Sequence, residues 1–430
     1  MERVKKLAFL FLIAAGAAAA VFYSYQFADT FLNRLLEKPA VSVPASSEKE
    51  SSVEDSSTED SFVGSLQRSA APSQEAGSGA SADADFTLTG EIFSGSVPSA
   101  RKKLLTMSLE EKVGQVFIFR CPVSGAVKAI DEYQPGGYCL MADNFDGKTA
   151  AQVQQNLKSY QNSSKVKMIL CCDEEGGTVV RVSKFKALAA EPFASPQEVC
   201  KLGGMDAVTA DTVKKAELLK SLGLNMNLAP VADVSTDPSD FIYARSFGKD
   251  AQETSKFVTA SVEAYENENL SCALKHFPGY GNNTDTHTGV ATDKRSYQTF
   301  VDSDFLPFQA GIDAGAPCVM VSHNVVVCID PDHPASLSSK VHEVLRKTLG
   351  FTGVIMTDDL SMKGVTEASG GKNPAVAAFL AGNDILLSSD METDCNALYA
   401  AVRNGTVTER QLNESVLRIL AWKYSMGIES

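Results

Sequence analysis

Residues 270–287 read LSCALKHFPGYGNNTDTH. The stretch opens on an apolar run of the kind that forms a buried strand. It then places Lys275, His276, Asp285 and His287 among the loop formers Pro278, Gly279 and Gly281. A strand that delivers polar groups into a loop belongs to a binding site or to a catalytic site. The rest of the chain decides how many such strands there are and what they carry.

Working outward, the same arrangement recurs. Eight short apolar runs lie at 113–120, 137–141, 166–172, 224–234, 270–274, 318–321, 353–356 and 384–387. Continuous runs of this type suit parallel strands buried on both faces. Helical patterns occupy 104–112, 151–160, 209–222, 252–267, 305–314, 340–349, 373–381 and 410–424, and the intervals are long enough for crossover helices. The alternation predicts an α/β fold, a (β/α)8 TIM-like barrel, with a doubly wound open sheet as the alternative.

In such a barrel the loops after the strand ends form the active site. Polar residues gather at those positions. Asp173, Glu174 and Glu175 follow the third run, Arg245 the fourth, Lys275 and His276 the fifth, Ser322, His323 and Asn324 the sixth, and Asp358 and Asp359 the seventh.

Asp358 is the candidate nucleophile, because a carboxylate at a strand end can point along the barrel axis. The alternative is that Asp358 or Asp359 caps the following helix. A carboxylate on one strand and a proton donor on another are the parts of retaining glycoside hydrolysis. His287 suits the donor role near neutrality, and Asp285 stands where it can orient the imidazole. Asp173, Lys275 and His276 suit sugar hydroxyls. Arg245 suits an anion or carbonyl, or else a buried ion pair with a rim carboxylate.

Composition narrows the classes. A net charge of −14 and a pI near 4.9, with no basic stripe, exclude nucleic acid as a partner. Five histidines and nine cysteines are scattered, with no HExxH and no paired CxxC, so no metal is expected. Most of the cysteines are expected as reduced, buried small hydrophobes.

The N-terminus carries Arg3, Lys5 and Lys6 before an apolar stretch from Leu7 to Val21, followed by Phe22, Tyr23 and Tyr25. That order is an export signal, favoured here as a retained membrane anchor over a cleaved peptide. Residues 38–92 are rich in Ser, Ala and Glu and cannot bury enough apolar surface to offset their ordering entropy. The expected organisation is therefore an anchor or signal segment over 1–37, a disordered linker over 38–92 and a barrel domain over 93–430, lying outside the cytoplasm. Nothing in the sequence marks an obligate protein partner.

With these residues assembled, the chain from about Leu104 to Tyr424 resembles glycoside hydrolase family 3, and within it the NagZ-like β-N-acetylglucosaminidases. The resemblance runs through MSLEEKVGQ (107–115), GGYCL (136–140), DEEGGTVVR (173–181), LNMNLAPVADV (224–234) and ARSFG (244–248). It continues through KHFPGYG (275–281), DTH (285–287), VMVSHN (319–324) and LGFTGVIMTDDLSMKG (349–364). It implies a barrel with Asp358 as nucleophile, His287 as general acid and base with Asp285 as its dyad partner, and Asp173, Arg245, Lys275 and His276 binding the first sugar. The implied reaction releases terminal β-linked N-acetylglucosamine, commonly from peptidoglycan fragments, without metal or cofactor, to water or in some relatives to phosphate.

The chain departs from the family pattern in one loop. Tyr280 stands where the pattern usually has a second histidine in KHFPGHG, the dyad reads DTH in place of DSH, the span before it is one residue shorter, and the proline past it is missing. Two rivals follow from the same residues: a β-glucosidase or β-xylosidase of the family, and a tethered muropeptide-binding protein without catalysis.

Overall fold

The computed structural model describes residues 92–283 and 289–429. Eight short parallel strands make one sheet: β1 (Phe117–Arg120), β2 (Gly137–Cys139), β3 (Ile169–Cys172), β4 (Met226–Asn227), β5 (Ser271–Phe277), β6 (Cys318–Val321), β7 (Val354–Thr357) and β8 (Leu386–Ser388). Their order across the sheet is β7-β6-β5-β4-β3-β2-β1-β8. Neighbours follow the chain with no reversal, which removes the doubly wound alternative. A parallel bridge between Met356 and Ile385 joins the two ends, with Thr357 N–H donating to Ile385 O at 3.0 Å. The sheet is thus a nearly closed barrel.

Each strand is followed by a helix, over Ala126–Tyr133, Ala150–Ser163, Pro196–Leu222, Ala251–Asn267, Phe305–Asp313, Ser339–Glu343, Pro374–Ala381 and Met391–Arg403. Several begin on reciprocal caps that the sequence encodes. Thr149 and Gln152, and Ser195 and Glu198, each form a capping box. The final helix, Glu409–Ser425, is not the eighth crossover as the periodicity predicts. It packs across the strand N-terminal ends, where fully buried Trp422 donates to Ser271 Oγ at 3.0 Å. The crossover is Met391–Arg403, which the pattern reading missed, as it missed Ala126–Tyr133.

Of the eight expected runs only 318–321 keeps its bounds, and three of the changes have a physical cause. The 113–120 run splits, because Val113 lies four residues after Leu109 and completes the helix Leu109–Gln115 that Ser108 and Glu111 cap. The 224–234 run keeps regular pairing only at Met226–Asn227. Pro230 has no N–H to give a ladder, and pairing resumes at the Val231–Lys275 bridge. The 270–274 run extends through Phe277, so Lys275 and His276 belong to β5 itself, at an irregularity in its register with β6. The Lys275–His276 peptide is cis.

The anchor and linker expected over 1–92 lie, except for Ile92, outside the described residues. Among the described residues no helix is long and apolar enough to cross a membrane.

Candidate active site

The strand C-terminal ends surround a cavity of about 720 Å³. Asp173, Arg245, Lys275, His276, Asp358 and Asp359 all line it. Five of the seven residues singled out in the sequence therefore meet on one wall. The other two, Asp285 and His287, lie outside the described residues.

Ion pairs order this wall. Lys275 Nζ donates to Asp173 Oδ1 at 2.7 Å and faces Glu175 Oε1 at 2.6 Å. Glu175 also accepts Arg245 through both oxygens, from Nε at 3.0 Å and Nη2 at 2.7 Å. Burial opposes the Glu175 charge, but the Arg245 and Lys275 cations outweigh it and hold its carboxyl far below the ordinary range. The same pairing keeps both cations protonated against their own burial: Lys275 is raised by Asp173 and Glu175, Arg245 by Glu175 first.

His276 is held from both sides. Asp233 Oδ2 lies 2.7 Å from Nδ1 and also accepts the His276 backbone N–H at 3.0 Å. Arg245 Nη2 lies 3.2 Å from Nε2. A guanidinium only donates, so Nε2 accepts and the Nδ1–H donates to Asp233. Asp233 Oδ1 meanwhile accepts the Tyr280 N–H at 2.7 Å, which ties β5 to the loop that follows it.

The two carboxylates after β7 divide the roles that the sequence left open. Asp359 Oδ1 accepts the Ser361 N–H at 2.9 Å and the Ser361 hydroxyl at 2.7 Å, so Asp359 makes the turn. Asp358 is left to face the cavity, its Oδ1 accepting only the Asp359 N–H at 2.8 Å among the described contacts. Burial pushes the Asp358 carboxyl up. His323, the Asp359 N–H and the Lys275 ammonium outweigh that and bring it below its ordinary value. His323 also fixes this turn from behind, with Nε2 3.0 Å from Asp359 O and Nδ1 2.7 Å from Ser336 Oγ.

The acidic run after β3 alternates in purpose as well. Glu174 accepts the backbone N–H groups of Arg181, Val182 and Ser183 at 2.9, 2.7 and 3.1 Å, folding the hairpin that follows. Gly176 and Gly177 turn that hairpin at φ +100° and +62°, a region open to glycine. Arg245 makes the buried ion pair with a rim carboxylate that was one of its two expected roles, and its partner is Glu175, which the sequence placed on the rim without a role. Asp233 is the residue that sequence reasoning missed. The available signal was a lone acid inside the apolar run PVADV.

The arrangement presents an ionised carboxylate beside a fixed set of donors and acceptors in a cavity of ligand size. The family model of the glycosyl hydrolase family 3 N terminal domain matches residues 108–422. The chain belongs to glycoside hydrolase family 3. It is accordingly a glycoside hydrolase, and its family relatives agree. A beta-hexosaminidase of Xanthomonas campestris pv. campestris is 31% identical over 294 residues, covering 68% of this chain and 86% of the relative. Among solved structures, a family 3 β-N-acetylglucosaminidase from Paenibacillus sp. str. FPU-7 superposes with a TM-score of 0.70 at 28% identity. That alignment covers 75% of this chain, which spans 63% of the Paenibacillus protein's length. A β-N-acetylhexosaminidase from Beutenbergia cavernae superposes with a TM-score of 0.65 at 28% identity, covering 74% of this chain and 99% of that one.

Proposed function

We propose that this family 3 chain is an exo-acting, retaining β-N-acetylglucosaminidase that removes terminal β-linked N-acetylglucosamine from extracytoplasmic, peptidoglycan-derived glycans. The observation that carries the reading is the position of Asp358, ionised at the end of β7 and facing the cavity that Asp173, Arg245, Lys275 and His276 line. The names of the hexosaminidase relatives support the sugar.

In this reading Asp173 accepts from the hydroxyls of the terminal sugar, and Lys275 and Arg245 donate to them. Asp358 attacks the anomeric carbon, and the bond to the aglycone oxygen breaks as His287 protonates that oxygen. His287, oriented by Asp285, then takes a proton from water as the water displaces Asp358 and restores the β configuration. The basic and apolar order of residues 1–37 supports attachment to a membrane, with residues 38–92 as the tether.

Aryl β-glycosides of N-acetylglucosamine, glucose and xylose, compared in one assay, test the substrate. The N-acetylglucosaminide is expected to give the highest kcat/KM. Equal or faster turnover of the glucoside overturns the sugar assignment, and sugar binding without turnover of any of the three replaces the enzyme with a binding protein.

A further inference from the structure

Phe241 is the aromatic residue that the catalytic reading leaves unused. It lies on the excursion after β4, is 39% exposed, and lines the active-site cavity. A phenyl ring left partly against water forgoes the rest of the burial that would stabilise it, so its position in a binding cavity asks for an occupant.

The ring is held firmly from below. Tyr280 is 2% exposed and its ring centroid lies 5.6 Å from that of Phe241, tilted by 44°. The Tyr280 ring meets the His276 imidazole edge on, again at 5.6 Å, with 78° between the planes. Tyr280 is packed with buried Val231 and Ile242, and its backbone N–H is fixed by Asp233, the carboxylate that also fixes His276. Phe241 therefore stands two ring-to-ring steps outward from His276, and a single buried ring sets that spacing. The wall around His276 is ionic and suited to hydroxyl groups; the wall at Phe241 is an apolar plane.

We propose that Phe241 is the platform of the aglycone subsite and takes the C–H face of the pyranose ring that leaves. This rests on the reading that the sugar gripped beside Asp358 is the one transferred. A pyranose offers one face of C–H groups ringed by hydroxyls, which matches an aromatic plane with polar surroundings. An aromatic ring with two side-chain torsions, seated on Tyr280, loses little freedom when such a face covers it.

The test compares N,N′-diacetylchitobiose with methyl β-N-acetylglucosaminide. Both leave as unactivated alcohols that need protonation, and only the first has an aglycone ring. Phe241→Ala is expected to lower kcat/KM for the disaccharide about fivefold more than for the methyl glycoside, the size of a lost ring contact. Phe241→Trp is expected to restore the ratio. Equal effects on both substrates, or no restoration by tryptophan, overturn the platform. If the wild type prefers glucosides, cellobiose and methyl β-glucoside carry the same comparison, so that the sugar assignment fails separately from the platform. A wild type that cleaves no member of either pair removes the catalytic reading and this proposal with it.

Discussion

Glu175 grips Arg245 through both carboxylate oxygens, at 3.0 Å to Nε and 2.7 Å to Nη2, from a position only 4% exposed. The same carboxylate lies 2.6 Å from Lys275 Nζ, so one buried acid aligns two of the cations that face the cavity. Paired with Asp173, the cluster holds two acids against two bases, and removing one member leaves buried charge without compensation. Glu175→Ala is expected to destabilise the fold by about 3–5 kcal/mol, read as a lowered Tm. Glu175→Gln keeps the shape and is expected to cost less stability while still lowering kcat/KM by about 100-fold or more, since each 1.36 kcal/mol of lost alignment is tenfold. Unchanged kinetics in both variants would show that Glu175 has no part in positioning Arg245 and Lys275.

Asp358→Ala is expected to abolish turnover, by about 10⁴-fold or more, while sugar binding measured by calorimetry persists. The cavity emptied by the side chain admits a small anion. Azide is expected to restore consumption of an activated aryl glycoside and to yield the α-glycosyl azide, because it attacks from the face that Asp358 used. A β-glycosyl azide, or full activity without azide, is the contrary outcome.

His287→Ala separates proton transfer from binding. A good leaving group departs with little protonation, so activated aryl glycosides are expected to be spared relative to N,N′-diacetylchitobiose by about 10²-fold. Equal losses on both substrates would remove His287 from the role of acid.

Lys423 gives a pH test of the fold that does not involve the active site. Its ammonium is buried under the barrel, donating to Gln115 Oε1 at 2.7 Å and Gly136 O at 2.8 Å, and burial pushes its pKa down from 10.5 to about 7. Between those two values the unfolded chain holds a proton that the folded chain has released, so stability rises with pH across this window. Below about pH 7 both states are protonated and the full burial cost is felt. Lys423→Met lacks the titration. The Tm of the wild type relative to this variant is expected to climb between pH 6.5 and pH 9.5, by up to roughly 4 kcal/mol in stability. A constant difference would place the Lys423 pKa near its ordinary value.

Much of this architecture was legible because strand ends in a parallel barrel announce themselves. An apolar run followed by a charged residue places that residue at the rim, which is how Asp173, Lys275, His276 and Asp358 were found. Glu175 was placed there too, but not as the partner of Arg245, and Asp233 was passed over, for a reason of distance: Arg245 is 70 residues from Glu175 along the chain and His276 is 43 from Asp233, and no local period encodes such pairs. The same limit left Asp358 and Asp359 undivided, since either acid can cap a turn and only the hydroxyl and N–H of Ser361 show which one does. The eighth crossover was misassigned because Glu409–Ser425 is the longer of the last two helices and is buried under the barrel, with the Trp422 ring fully enclosed.

The central claim, that Asp358 becomes covalently bound to N-acetylglucosamine during turnover, is tested most directly by trapping. The wild-type protein would be treated with 5-fluoro-N-acetyl-β-glucosaminyl fluoride, which forms the glycosyl-enzyme faster than water resolves it, and then digested for peptide mass spectrometry. The account predicts one sugar adduct, carried on the peptide containing TDDLSM and localised by fragmentation to Asp358. A sugar adduct on Asp173, Asp359 or any other residue, or continued turnover of the fluoride with no adduct on Asp358, would contradict it.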